Sequence, residues 1–160
     1  MDDFEKFYKA SIRFLSFRPR SEKELRDYLK NKKVNDLTAE RIIQSLTRDK
    51  FLNDEEFVRW WVEQRTILTP KATRVIKIEL KQKGITNEIF EEVLESKDFE
   101  IESDLDKALK LAQRRIERLQ NEEPKKRYEK MVRFLASKGF NYETIKKVID
   151  QILNKRYNND

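Results

Sequence analysis

The feature that most constrains the fold is a short sequence that occurs three times. Residues 29–33 read Leu-Lys-Asn-Lys-Lys and are followed by Leu37 and Thr38. Residues 80–86 read Leu-Lys-Gln-Lys-Gly-Ile-Thr, and residues 135–141 read Leu-Ala-Ser-Lys-Gly-Phe-Asn. Each copy is interpreted as the end of one helix, a turn and the start of the next, since Gly closes helices and Thr or Asn caps them. An internal repeat of this length indicates an array of similar structural units.

The third helix of each unit carries a further pattern. An apolar residue comes just before each predicted cap and another follows four positions after it, which is the hydrophobic staple. The pairs are Leu37 with Ile42, Ile85 with Phe90, and Phe140 with Ile145. The predicted caps Thr38, Thr86 and Asn141 lie 48 and 55 residues apart.

Together these patterns predict an all-α fold of about nine helices in three tandem three-helix repeats. We expect an elongated, curved stack, because stacked repeats contact only their neighbours. The predicted repeats are residues 1–52, 53–97 and 98–160, with a frayed C-terminal tail over residues 155–160.

Capping residues and prolines predict where the helices begin. Residues 21–24 read Ser-Glu-Lys-Glu, a capping box. Other starts are placed at Asn53 or Asp54, at Pro70 after a Thr69 cap, and at Pro124. The first, fifth and seventh helices are predicted over residues 4–17, 70–83 and about 100–120.

Composition argues against an enzyme. The chain has no Cys and no His, so thiolate nucleophiles, histidine bases and Cys/His zinc sites are excluded. Glu102, Asp104 and Asp106 point in divergent directions on a helix and are interpreted as complementing its dipole rather than binding Mg²⁺. We expect no cofactor. No apolar run approaches membrane-spanning length and no signal segment follows the acidic start, so we expect a cytoplasmic protein.

Three stretches resemble a known family. Residues 18–25 with Leu29 resemble the first-repeat motif of the bacterial RecX regulatory proteins. Residues 49–58 resemble the junction into that family's second repeat, and Arg65 with residues 78–85 resembles its most recognisable stretch. The family often has a glycine early in the middle helix of the second repeat, whereas residues 71–75 here contain none.

The resemblance implies a function. RecX proteins modulate the RecA recombinase by binding in the groove of the RecA–DNA filament and impeding its growth or activity, and some members also bind DNA. It therefore implies a non-enzymatic regulator of DNA repair, recombination and the SOS response. The implied partner is the RecA filament, with single- or double-stranded DNA as a further one. A monomer is expected.

A helical wheel over residues 70–83 yields one set of candidate contacts. Its apolar side holds Ala72, Val75, Ile76 and Leu80. The opposite side carries Lys71, Arg74, Lys77 and Lys81, with Ile78 among them. This arrangement is either a solvated face or a cationic surface with Ile78 as an apolar anchor.

Aromatic and basic clusters yield the other candidates. Trp60 either packs on a neighbouring repeat or serves as an interface or base-stacking anchor, with Arg65 extending its polar edge. Arg18 and Arg20 belong to a basic corner of the first repeat, and Arg115 and Lys126 to a basic cluster in the third.

Two other functions stay open from the residues alone. One is a stand-alone nucleic-acid-binding helical repeat protein, which a formal net charge of +6 allows but does not establish. The other is a helical adaptor for a different protein partner.

Overall fold

The structure, a computed structural model, describes residues 2–157, and every regular element within them is a helix. The nine described helices confirm the all-α prediction. Their bounds are α1 Asp3–Ser16, α2 Glu22–Asn31, α3 Asp36–Arg48, α4 Asp54–Ile67, α5 Thr73–Gln82, α6 Asn87–Glu95, α7 Asp104–Arg118, α8 Pro124–Ser137 and α9 Tyr142–Tyr157.

The chain divides into two compact units, called unit 1 and unit 2 below. Unit 1 comprises the residues up to Trp61 together with Glu79–Phe99. Unit 2 comprises Val62–Ile78 and the residues from Glu100 onward. The division falls inside α4 and α5. The sequence-based division into repeats at residues 52 and 97 stays a prediction.

Each unit has its own apolar core. In unit 1, α2 and α3 bury Leu25, Leu29, Ile42 and Leu46 completely. In unit 2, α7 packs chiefly against α9, and the core includes Ala108, Ala112, Leu135 and Val148. The apolar residues recur at three- and four-residue steps, which turns one face of each helix inward.

The repeated sequence forms the same turn three times. The residues at its fifth position, Lys33, Gly84 and Gly139, have φ values of 60°, 81° and 91°. The amide of the next residue donates to the carbonyl five residues earlier, at N···O distances of 3.1 Å for Val34–Leu29, 3.0 Å for Ile85–Leu80 and 3.4 Å for Phe140–Leu135. This is the Schellman arrangement that satisfies the last carbonyls of a helix.

The first copy of the repeat was placed wrongly. The cap of α3 is Asn35, whose side chain accepts from the Thr38 amide, and not Thr38 itself. Leu37 is 81% exposed, so the predicted Leu37–Ile42 staple does not form. The residues at the staple positions are Val34 and Ala39, both packed against the unit 1 core. The caps Asn35 and Thr86 are therefore 51 residues apart, instead of 48.

Two predicted helix bounds are also wrong. The fifth helix begins at Thr73 and not at Pro70, so Lys71 precedes the helix. The seventh covers Asp104–Arg118 rather than residues 100–120. The frayed tail over residues 155–160 stays a prediction: α9 continues to Tyr157, and residues 158–160 lie outside the described residues.

The first residue of α4 and the first residue of α7 are both aspartates, and each caps the middle helix of the preceding repeat. The Glu22 amide at the start of α2 donates to Asp54 Oδ1 at 2.8 Å. The Thr73 amide at the start of α5 donates to Asp104 Oδ1 at 2.9 Å, and the Thr73 hydroxyl donates to the same oxygen at 2.8 Å. Free amides at a helix start need an acceptor, and here the next repeat supplies it.

The two equivalent aspartates differ in their pKa. Burial raises the pKa of Asp54, and the neighbouring carboxylates Glu22 and Glu24 add to the effect. Burial also opposes ionisation of Asp104, but its hydrogen bonds from Thr73 and Lys107 outweigh burial and hold its pKa below the usual value. The Lys107 ammonium is fully buried and lies 3.2 Å from Asp104 Oδ1.

We predict that Lys33→Gly stabilises the protein by about 1 kcal/mol, because glycine adopts a positive φ without the side-chain cost. Urea unfolding of the intact chain measures the change. Lys30→Gly is the matched control in the last turn of α2 and should cost about 1 kcal/mol. Equal effects of the two substitutions would contradict a strained backbone at Lys33.

We predict opposite pH behaviour for Asp104→Asn and Asp54→Asn. The lowered pKa of Asp104 means that its stabilisation is present above its unfolded pKa of about 3.9 and fades as pH falls. At neutral pH, Asp104→Asn should cost about 3 kcal/mol, the low end of the range for removing one partner of a buried ion pair, because it leaves the buried Lys107 ammonium without its anionic partner. Thermal unfolding at several pH values measures both variants.

The raised pKa of Asp54 gives the opposite dependence of stability on pH. Its folded state binds the proton more tightly than the unfolded state, so ionisation costs stability as pH rises from about 3.9 through the folded pKa. Asn keeps an acceptor for the Glu22 amide, and Asp54→Asn should leave stability at neutral pH unchanged or slightly increased. A loss at neutral pH as large as that of Asp104→Asn would refute the distinction.

Candidate partner-binding surfaces

Glu24 is the centre of a polar cluster in unit 1. Its carboxylate accepts from Arg18 Nη2 at 2.6 Å and Nη1 at 3.3 Å, from the Ser21 amide at 3.0 Å, and from Lys83 Nζ at 3.0 Å. The Glu24 side chain is 12% exposed. Burial opposes its ionisation, but the bonds from Arg18, Ser21 and Lys83 together hold the pKa of Glu24 below its usual range.

The two cations of this cluster lie over the tryptophan pair of α4. The Arg18 guanidinium is 5.4 Å from the Trp60 ring, and Lys83 Nζ is 5.5 Å from the Trp61 ring. The Trp61 indole donates to Glu79 Oε2 at 3.0 Å. We call the Arg18, Glu24, Lys83, Trp60 and Trp61 group the Glu24 clasp. Cation–π contacts and paired charges make it an intramolecular junction between the first two repeats.

The Glu24 clasp engages two of the predicted contact residues. Arg18 and Trp60 are half-buried and already have partners inside the protein, which agrees with the interpretation of Trp60 as packing on a neighbouring repeat. Arg20 is also half-buried, with its guanidinium 4.1 Å from the Phe14 ring, which stacks on Tyr28. Partner contact by these three residues stays a prediction.

The residues that the helical wheel predicted on the basic face of α5 are not equally exposed in the structure. In unit 2, Arg74 and Ile78 are exposed, Ile78 by 54%, and Lys77 is half-buried. Arg74 Nε donates to the Gly139 carbonyl at 2.6 Å, so Arg74 also has an internal role. Lys81 is exposed in unit 1.

The segment before α5 is held by main-chain contacts within unit 2. The Lys71 amide donates to the Arg65 carbonyl at 3.1 Å, and both side chains are half-buried. The Lys71 carbonyl accepts from Lys107 Nζ at 2.7 Å. The buried lysine therefore anchors this segment. Sequence reasoning missed Lys107 because a single lysine on an apolar helix face carries no signal of its partner.

A basic cleft lies between α7 and α8 in unit 2. Arg115, Arg118, Arg133 and Lys130 line it, with Phe134 and Glu122. The Arg115 guanidinium is 4.8 Å from the Phe134 ring. Sequence reasoning found Arg115 but missed Arg133 and Phe134, which are brought to it only by the packing of α8 on α7. The available signal was the spacing of Arg133 and Phe134 three and four residues after Lys130, which places all three on one side of α8.

The other predicted residue of this region, Lys126, is exposed on the first turn of α8. Its neighbour Arg127 has a structural role, because it donates to the carbonyls of Leu119, Gln120 and Glu122 after α7. The acidic residues near α7 also have partners within the protein: Glu102 pairs with Lys110 at 2.6 Å, and Asp104 caps α5.

No helix of the described chain is long and apolar enough to cross a membrane.

The fold and these surfaces define a helical repeat protein built from three-helix domains. Profiles of the first, second and third three-helix domains of RecX match residues 8–46, 53–94 and 102–149. The chain belongs to the RecX family. A crystal structure of RecX from Lactobacillus salivarius has a TM-score of 0.76 at 27% identity and covers 94% of this chain and 96% of its own.

Curated relatives carry the name regulatory protein RecX. The one from Oceanobacillus iheyensis is 32% identical over 151 residues, which cover 94% of this chain and 55% of the relative. The one from Bacillus velezensis is 31% identical over 159 residues, covering 99% of this chain and 59% of the relative. The chain thus spans a little over half the length of these two relatives.

We predict that Glu24→Gln destabilises unit 1 by about 1–3 kcal/mol at neutral pH, the range for losing charge-assisted hydrogen bonds in a mostly buried group. Because the folded pKa of Glu24 is depressed, this stabilisation is present above its unfolded pKa of about 4.3 and is lost as pH falls through the folded value. Tryptophan fluorescence during urea unfolding reports the change, since Trp60 and Trp61 lie in the clasp.

The matched control is Glu22→Gln, on the same helix. Glu22 pairs with Arg26 at 2.8 Å, but its side chain is 43% exposed. Its substitution should change stability by less than about 1 kcal/mol. If both glutamine variants behave alike, the Glu24 clasp does not join the repeats.

Proposed function

We propose that this chain is a non-enzymatic regulatory protein that binds the RecA–DNA filament and inhibits its growth and recombinase activity. Three tandem matches to RecX three-helix domains carry this proposal, together with relatives that are named regulatory proteins. The absence of Cys and His from the sequence favours binding over catalysis. We also propose that the protein acts as a monomer and without a cofactor.

The biological setting follows from the partner. A protein that acts on a RecA–DNA filament works where the chromosome is, in the cytoplasm, during DNA repair, recombination and the SOS response. The filament presents phosphates and protein surface together. Exposed cations would raise the rate of encounter with it and make binding sensitive to salt.

The exposed predicted residues are the proposed contacts. In unit 2 the exposed contacts are Arg74, Ile78 and Lys126. The half-buried residues of unit 2 that we also propose as contacts are Arg65, Lys71, Lys77 and Arg115. In unit 1 the exposed contact is Lys81. Arg18, Arg20 and Trp60 are half-buried in unit 1 and have internal partners, and their contact with the filament is part of the same proposal.

We predict that the intact chain, added at a stoichiometric ratio, lowers the ATPase rate of RecA on single-stranded DNA. Ile78→Asp should raise the concentration needed for half-inhibition by about tenfold, because it places a charge where an apolar anchor meets the filament. Filament ATPase and co-sedimentation with RecA-coated DNA measure the effect.

Leu37→Asp is the control, since Leu37 is an exposed apolar residue of unit 1 that is not a proposed contact. It should inhibit like the unaltered chain. If the unaltered chain neither changes the ATPase rate nor sediments with the filament, the proposed function is wrong. Equal loss in both variants would move the contact away from Ile78.

A further inference from the structure

Lys107 is a fully buried lysine whose ammonium is bonded to the segment that precedes α5. Its Nζ donates to the Lys71 carbonyl at 2.7 Å and to the Thr73 hydroxyl at 3.3 Å, and it lies 3.2 Å from Asp104 Oδ1. An ammonium has three N–H donors, and these three acceptors satisfy all of them. All four residues belong to unit 2.

The main chain of this segment is held by two other elements of unit 2. The Lys71 amide donates to the Arg65 carbonyl in α4 at 3.1 Å. The Ala72 amide donates to the Lys138 carbonyl, directly after α8, at 3.0 Å. Lys107 adds a bond from α7 to the Lys71 carbonyl, so both polar main-chain groups of Lys71 are fixed within the protein.

A comparison with the preceding repeat shows that the fold does not require a charge at this position. Lys107 lies three residues after the first residue of α7, and Phe57 lies three residues after the first residue of α4. Both side chains are fully buried. Burial of an ammonium has a large desolvation cost that a phenylalanine avoids, so a buried ion pair is weak evidence for a role in stability. The groups that the Lys107 ammonium holds therefore indicate its role.

We propose that Lys107 is a positioning residue, which fixes the main chain of residues 71–73 and thereby orients the Lys71 side chain for contact with the partner. The inference rests on the proposed function, because Lys71 is one of the proposed filament contacts. Lys107 is fully buried and does not itself touch the partner. A side chain on a fixed main chain loses less conformational freedom on binding, so the partner is bound more tightly.

The effect of Lys107 is confined to the start of α5. Ile76 is completely buried and fixes the part of the helix that carries Ile78 by apolar packing. Loss of the Lys107 ammonium should therefore weaken the contribution of Lys71 to binding and leave that of Ile78 unchanged.

Lys107→Met tests the proposal, because it keeps a long unbranched side chain and removes the ammonium. Hydrogen exchange of the intact chain without any partner should show the amides of residues 71–73 exchanging about tenfold faster, since the segment loses an anchor against local opening. The amides of α2 should exchange at an unchanged rate. Lys107→Phe is the second variant if Lys107→Met does not fold, because Phe57 is accepted at the equivalent position, and thermal unfolding checks both.

The filament ATPase assay measures the consequence for binding. Lys107→Met and Lys71→Ala should each raise the concentration for half-inhibition by about fivefold, the scale of ordering one side chain at an interface. The double variant should behave like Lys107→Met alone, because the two residues act through one contact. Ile78→Asp combined with Lys107→Met should show both losses in full.

Lys110→Met is the matched control. It removes a lysine charge from the same helix, but Lys110 is 62% exposed and pairs with Glu102, so both measurements should stay unchanged. Unchanged exchange of residues 71–73 in Lys107→Met, unaltered inhibition by that variant, or full additivity with Lys71→Ala would overturn the proposal. If the unaltered chain does not inhibit the filament, the proposed function and the role of Lys107 in partner contact both fail, whereas the exchange rates still show whether Lys107 holds the segment.

Discussion

The hydrogen bond between the amide at the start of a middle helix and the aspartate that begins the first helix of the next repeat is the interaction on which the repeat architecture depends. A helix leaves its first amides without acceptors, and a three-helix repeat too small to enclose its own core must also find a neighbour. Asp54 and Asp104 meet both needs at once, because each caps the middle helix of the preceding repeat. The need is greater at α5, where Ala72 precedes the helix and has no side-chain acceptor.

The same bond has a different electrostatic character in its two occurrences. Burial, with the nearby Glu22 and Glu24 carboxylates, favours the protonated form of Asp54. Burial opposes ionisation of Asp104 too, but the hydrogen bonds from Thr73 and Lys107 outweigh it and favour the ionised form. Lys107 occupies the position that Phe57 has after Asp54, three residues into the helix, and both side chains are fully buried. A polar contact can thus replace an apolar one within a repeat, provided that the buried charge has a partner.

The sequence predicted those features whose cause is local. Gly84 and Gly139 mark their turns because glycine tolerates a positive φ, and Thr86 and Asn141 follow as caps. The first copy was misplaced because Lys33 adopts the same backbone conformation without being glycine. The start of α5 was missed because its cap is Asp104, about thirty residues away along the chain. The Glu24 clasp and the pairing of Arg115 with Phe134 are missed for the same reason, since both depend on which helices pack together.

This division between local and long-range causes bears on where binding specificity lies. Residues 18–25 and 78–85, two of the three stretches that resemble the family, include Arg18, Glu24 and Lys83 of the clasp. Those side chains already satisfy one another, so their chemistry is used in joining repeats. Positions that differ between repeats are not needed to join one repeat to the next. Arg115 and Arg118 stand where the first repeat has Phe14 and Phe17, and the fold accepts either pair.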